Sequence, residues 1–191
     1  MRSRDSEEKC EYVYDSPCGP LRIVSTRQGV TSLSFDGDAT RGRGNAGVTP
    51  LMRETIDWLD VYFAGKDPGA TPLIAARGTP FREEVWEILK GIPYGSTMTY
   101  GEIAEELARR RGIKRMSAQA VGNAAHWNPV AILIPCHRVV GADGSLIGYG
   151  GGLERKRFLL GLEHGFYLNE LIYAMRGHIL DEAVLNGRYK E

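Results

Sequence analysis

The six residues Ile-Pro-Cys-His-Arg-Val, from Ile134 to Val139, set a thiol, an imidazole and a guanidinium side by side behind a proline. A thiolate is a strong nucleophile, and a neighbouring cation or base favours its formation. Most free cysteines are small buried hydrophobes. Three features set Cys136 apart. Pro135 stiffens its approach, His137 and Arg138 flank it, and it lies between the apolar run VAILI and a glycine-rich stretch whose backbone can line a pocket. Adjacent side chains in extended chain point to opposite faces. His137 is therefore expected to act on Cys136 through a water, with a carboxylate orienting its other ring nitrogen. Glu163, at the end of FLLGLEHG, is the best candidate downstream. A cysteine protease would need a remote histidine such as His126, His164 or His178, and no protease signature surrounds Cys136.

The other two cysteines, Cys10 and Cys18, make the total odd, which fits a reducing compartment better than a disulfide framework. No second Cys/His pair lies near them, so they read as ordinary thiols near a strand and not as a zinc site. With 42% apolar and 25% charged residues among 191, the chain has the composition of a soluble globular protein with a real core. No apolar run approaches the ~18 residues of a membrane helix, and the charged start MRSRDSEEK has no signal-peptide core. The expected location is the cytoplasm, at the nucleoid in a prokaryote, or the nucleus in a eukaryote.

A formal net charge of zero argues against nucleic-acid binding, but its distribution argues for it. Between Leu107 and Asn128 stand Arg109, Arg110, Arg111, Lys114 and Arg115, and no acid. A solvated helix end is the plainer reading of such a cluster. The elements around it favour the other. Residues 11–35 alternate as short strands with turns at Ser16–Pro20 and Arg27–Gly29, and residues 36–47 form a glycine-rich loop. Leu51, Met52, Ile56, Leu59 and Phe63 follow at helical spacing, and the Pro/Gly-rich stretch 66–80 reads as a linker. Thr79 and Pro80 then start a helix with Val85, Ile88 and Leu89 on its buried face. Thr99 and Glu102 form a capping box for the next, and Ser117 caps a third that ends before Asn128-Pro129. Two short helices about a tight basic turn make a helix-turn-helix candidate. The second carries Ala118, Ala120, Gly122, Ala124 and Ala125, small residues that allow close approach to a neighbouring helix or to a DNA groove. After VAILI, read as a strand, comes a hairpin about Asp143-Gly144 and a closing helix. The tail has a further amphipathic pattern at Leu168, Leu171, Ile172, Met175 and Ile179.

IPCHRVV, with AVGNA and Asn-Pro upstream and GYGGGLERK downstream, resembles the O6-alkylguanine-DNA alkyltransferase family. The likeness runs from about Gly78 to Gly165, and DSPCGPLRIVSTRQGVTSLSF resembles that family's first domain. It implies an α+β protein: a small ribonuclease H-like α/β domain over 1–77, a mostly helical winged helix-turn-helix-like catalytic domain over 78–165, and a helical extension over 166–191. It implies transfer of an alkyl group from guanine oxygen-6, and from thymine oxygen-4, to Cys136 after base flipping, once per molecule. The implied partner is alkylated double-stranded DNA, bound by a monomer, with no membrane, metal or cofactor. By motif position His137 and Glu163 form a water-mediated relay, Tyr100 repels the target phosphate and donates to the guanine ring, and Asn128 braces the turn. The carbonyls of Cys136 and Val139 and the amide of Gly150 would read guanine, with Tyr149 in the same pocket. Ser117, Ala118, Gln119, Gly122, Arg110, Lys114, Arg115 and Arg138 would face DNA. At Gln119 the family commonly has an arginine that fills the gap left by the flipped base. Glutamine is long enough to intercalate but uncharged. Related non-catalytic lesion-binding proteins typically carry tryptophan where this chain has Cys136.

Overall fold

The protein is described here by a computed structural model covering residues 9–35 and 48–166. The short alternating stretches form an antiparallel meander, β1 (Cys10–Ser16), β2 (Gly19–Thr26) and β3 (Gly29–Ser34), in spatial order β1-β2-β3. Leu21 and Ile23, two apart and so on one face of β2, are fully buried beneath helix α1 (Pro50–Phe63). Thr49 caps that helix by accepting from the Met52 amide, and Pro50 occupies its first turn, where a missing N–H costs nothing. Met52, Ile56, Leu59, Tyr62 and Phe63 form its buried stripe.

The outer edge of β3 is covered by segments from beyond the first domain. The Val30 amide donates to Leu73 (2.7 Å) and the Ala75 amide to Val30 (2.9 Å). Farther along, the Leu33 amide donates to Pro129 (2.9 Å) and the Ala131 amide to Leu33 (2.8 Å). The expected linker is thus partly anchored, and an edge that would otherwise invite pairing is closed. Gly29 makes this possible, since a Cβ there would lie 2.7 Å from the Ala75 nitrogen.

The second half holds α2 (Pro80–Lys90), α3 (Tyr100–Arg111), α4 (Ala118–His126) and α5 (Leu153–Glu163), with two-residue parallel strands β4 (Met98–Thr99) and β5 (Val139–Val140). The expected caps are present: Thr79 on α2, the reciprocal Thr99–Glu102 box on α3, and Ser117 on α4. Gly112, at φ 64°, ends α3 in the left-handed conformation that glycine adopts without strain. Val121, Ala124 and Ala125 turn inward, and Trp86 of α2 donates its indole N–H to the Ala124 carbonyl at 2.9 Å. One apolar cluster runs unbroken from Leu21 through Tyr62 and Trp86 to Phe158. Among the described residues no helix is long and apolar enough to cross a membrane.

Two elements differ from their sequence reading. VAILI is not a strand. Leu133 N–H bonds back to Ala131 (2.8 Å) and Cys136 N–H to Ile134 (2.8 Å), which coils the chain into two successive γ-turns and holds Ile132 at φ 69°. The run pairs with β3 only at its start, through Val130 with Leu33, and then folds back on itself, Ala131 bridging to Ile134, to deliver Cys136. Nor does a hairpin form about Asp143-Gly144. The tight turn exists, closed by Gly141 N–H to Ser145 (2.9 Å), but β5 pairs with β4 instead. The loop at 36–47 and the amphipathic pattern beyond Phe166 lie outside the described residues.

Candidate active site

The two γ-turns deliver Cys136 to the first position of a short 3-10 helix, Cys136–Arg138. Its sulfur lies below the surface, the residue being 8% exposed. Asn128 holds this arrangement from one amide group. Its Nδ2 donates to the Ile134 carbonyl at 2.7 Å and to Cys136 Sγ at 3.1 Å, while its Oδ1 accepts from Val130 N–H at 3.0 Å. Burial pushes the Cys136 thiol up, opposed by the Asn128 hydrogen bond and the Lys156 charge. A thiol in this position rests protonated and needs a base to react.

His137 points away from Cys136, into the protein, and is fully buried. Its Nε2 lies 2.7 Å from Glu163 Oε1. Burial pulls the imidazole below its ordinary value, against the upward pull of Glu163, so at neutral pH it is an uncharged base. Its Nδ1 is buried and has no hydrogen-bond partner among the described residues. Burial alone would raise the Glu163 carboxyl, but His137 and Arg138 beside it bring it down to about 2. The structure thus brings His137 and Glu163 into direct contact through Nε2.

Arg138 corrects the expectation of a DNA contact. It is buried, with Nε and Nη2 on Glu163 (2.9 and 3.0 Å) and Nη1 on the Ile92 carbonyl (2.7 Å). A guanidinium in a buried carboxylate pair cannot leave for a phosphate without stranding the carboxylate.

In front of the sulfur, the Tyr100 hydroxyl lies 3.1 Å from the Ile147 carbonyl and 3.0 Å from that of Gly148. Burial, and then Cys136, raise its pKa, so it keeps its proton. Burial also raises Tyr149 well above its ordinary value, and its ring meets His137 edge-on with centroids 6.4 Å apart. Gly150 is exposed at the rim. Val139 is buried in β5, and its carbonyl accepts from Lys156 Nζ at 2.5 Å.

Along the helix pair, Ser117, Ala118 and Gln119 are exposed at the start of α4, and Gly122 lies one turn on, against the Tyr100 ring. The basic stretch is not unopposed, as its local sequence implied. Arg109 and Arg110 both reach Glu106, at 2.8 and 2.6 Å, and Arg111 reaches Glu84 of α2 at 2.8 Å. Helical spacing and a neighbouring helix supply acids that the stretch itself lacks. Lys114 and Arg115 are exposed, and no ion pair involves them among the described residues.

A family model described as the 6-O-methylguanine DNA methyltransferase DNA-binding domain matches residues 80–165, and one described as its ribonuclease-like domain matches 10–71. A methylated-DNA–protein-cysteine methyltransferase of Mycobacterium leprae is 43% identical over 160 residues, spanning 82% of this chain and 93% of its own. That of Methanosarcina acetivorans is 39% identical over 158 residues, spanning 79% and 96%. The chain belongs to the methylated-DNA–protein-cysteine methyltransferase family. Mycobacterium tuberculosis OGT, crystallised in complex with DNA, matches with a TM-score of 0.70 at 39% identity, covering 84% of this chain and 97% of that one. The methyltransferase fold of a ribonuclease-like domain followed by a helical DNA-binding domain is thus the one seen here.

Two residues at the site escaped the sequence reading. Lys156, fully buried on α5, donates to the Val139 and Ile147 carbonyls (2.5 and 2.6 Å). Burial brings it down to about 8, against the pull of Cys136. Tyr62, from α1 of the first domain, donates to Glu163 Oε1 at 2.7 Å. In GGLERKR a lysine reads as solvated, and in WLDVYF a tyrosine reads as core. GYGGGLERK ends on Lys156 but gave it no role, and no local pattern marked Tyr62.

Proposed function

We propose that the protein repairs O6-alkylguanine, and O4-alkylthymine, in duplex DNA by moving the alkyl group irreversibly to the sulfur of Cys136. The observation that carries this reading is a buried thiol with its own N–H donor, backed by a neutral imidazole on a charged carboxylate, in a chain of this family. The thiol proton passes by a water to His137 Nδ1, and Glu163 steadies the imidazolium that forms. Sulfur then bonds to the alkyl carbon as the carbon–oxygen bond breaks. The electron pair goes to the base, which takes up a proton and leaves as ordinary guanine; Tyr100, still protonated, is placed to supply it. Because nothing in the site reverses the new carbon–sulfur bond, each molecule reacts once.

A base inside the stack cannot reach a sulfur this deep, so the nucleotide must swing out. The exposed start of α4, with Ser117, Ala118, Gln119 and Gly122, fits the groove side of that event, and Gln119 is long enough to fill the gap. Lys114 and Arg115 are the cations free to meet phosphates, with Arg110 exchanging its exposed pair with Glu106. Val139 and Cys136 each keep a second carbonyl lone pair for the guanine amino group, and the Gly150 amide faces outward. The protein acts as a monomer in the compartment that holds DNA.

Incubation with a duplex containing one O6-methylguanine should raise the intact mass by one methyl group, mapped to Cys136, and Cys136→Ser should abolish the gain. Methylation that persists in the serine variant, or repeated turnover by one molecule, would refute the reading. Lesion binding without any mass change would instead favour the non-catalytic alternative.

A further inference from the structure

We propose that Tyr62, contributed by the first domain, is a positioning residue of the alkyl transfer: its hydroxyl tempers the Glu163 carboxylate so that His137 remains a neutral base with its proton on Nε2. The inference rests on the relay proposed above. Tyr62 is fully buried, and its ring is held by stacking on Trp58 (centroids 5.6 Å apart) and by edge contacts with Phe63 (5.3 Å) and Tyr94 (6.0 Å). Its hydroxyl lies 2.7 Å from Glu163 Oε1 and 3.2 Å from His137 Nε2.

A phenol has one proton to give. Glu163 is ionised and cannot donate, so that proton goes to the carboxylate. The Tyr62 oxygen then presents a lone pair to His137 Nε2, which already faces Glu163 Oε1 at 2.7 Å. Two oxygens around Nε2 require the imidazole proton there. That leaves Nδ1, buried and without a partner among the described residues, as the nitrogen that accepts the thiol proton.

The carboxylate is shared by more donors than its partner base. Oε1 receives Tyr62, His137 and Arg138 Nη2 (3.0 Å), while Oε2 receives Arg138 Nε (2.9 Å) and the Gly95 amide (3.2 Å). Each donor to the charged form lowers a carboxylate's basicity. With the tyrosine donor removed, Glu163 pulls harder on the imidazole proton and favours imidazolium, which is no base. The other groups facing His137 are Arg138 on its own turn, Lys156 on α5 and Tyr149 on the glycine loop; Tyr94 faces the same Glu163–Arg138 pair. Arg138 and Lys156 act in the same direction as Tyr62, against a second positive charge.

The test is single-turnover methyl transfer across pH by Tyr62→Phe, with DNA binding and thermal melting measured alongside. DNA binding should match wild type. The rate at neutral pH should fall roughly tenfold, as for loss of one hydrogen bond to a buried charge, and the acid limb of the profile should move to higher pH. A lower melting temperature with a wild-type profile would overturn the proposal, as would an acid limb moved to lower pH. Should Tyr62→Phe fail to fold, 3-fluorotyrosine at the same position gives a stronger donor of nearly the same size. The acid limb should then move to lower pH, and an unmoved limb would overturn the proposal. Wild-type protein run in parallel separates the two ideas: without transfer by wild type the alkyl-transfer reading itself fails, whereas transfer unaffected by either change removes only the role of Tyr62.

Discussion

Three glycines in front of Cys136 differ in what they can become. Gly148 sits at φ 56° with the Tyr100 hydroxyl 3.1 Å from where a Cβ would be, and a Cβ on Gly151 would lie 2.6 Å from the Tyr149 ring. Gly150 has ordinary backbone geometry, and its nearest neighbour, the His126 carbonyl, would be 3.7 Å away. Gly150→Ser should therefore keep the wild-type melting temperature and transfer methyl at least as fast, because a hydroxyl adds a donor beside the amide proposed to meet the guanine oxygen. Gly151→Ser should lose ~1–3 kcal/mol through overpacking. Melting curves and single-turnover rates check both, and a destabilised Gly150→Ser would show the loop to be tighter than its geometry. At this scale the contiguous motif was readable, and so was the carboxylate that His137 meets. Tyr62 and Lys156 were not. A tyrosine on an apolar helix face satisfies the hydrophobic pattern whether or not its hydroxyl has a task. A lysine's burial depends on carbonyls that only the folded chain brings near. Arg138 failed in the opposite direction, since a cation beside a suspected DNA site reads as a phosphate contact until its buried partner is seen.

Helices α2, α3 and α4 were the most legible elements, because each begins with a residue whose side chain has a local duty. Thr79, Thr99 and Ser117 accept from amides within their own first turns, and such bonds depend on sequence neighbours alone. VAILI was misread because burial and β-branching are shared by strands and by coiled core segments, and the γ-turns are closed by the demand to place Cys136 under Asn128. The helix pair yields a prediction about charge. Among the described residues Lys114 and Arg115 have no acid to leave, whereas Arg109 and Arg111 are engaged with Glu106 and Glu84. Alanine at Lys114 or at Arg115 should reduce the slope of log affinity against log salt by ~1 each. Alanine at Arg109 or Arg111 should change it less, since each of these charges is already matched by an acid. Fluorescence anisotropy over a salt series measures this, and equal slopes for all four variants would make the stretch a solvated face.

For the whole molecule, two domains are marked by composition, yet the packing between them is continuous. Segments 73–75 and 129–131 both hydrogen-bond to β3, and the packing crosses the boundary at Tyr62, whose ring meets Tyr94 and His137 edge-on. Amides of β2 and of α4 should therefore exchange hydrogen with the same limiting free energy, that of global unfolding. Separate limits for the two would show that the halves open independently. The sequence could not show this, because each of these contacts joins residues far apart along the chain. The Glu163 carboxylate is the extreme case. Its donors come from Tyr62, Gly95, His137 and Arg138, and the first lies 101 residues upstream. A chain emerging from the ribosome makes Tyr62 early and Glu163 late, so until α5 docks there is no carboxylate beside the imidazole. A copy cut or stalled before Glu163 thus carries the cysteine and the histidine without the partner that fixes the ring.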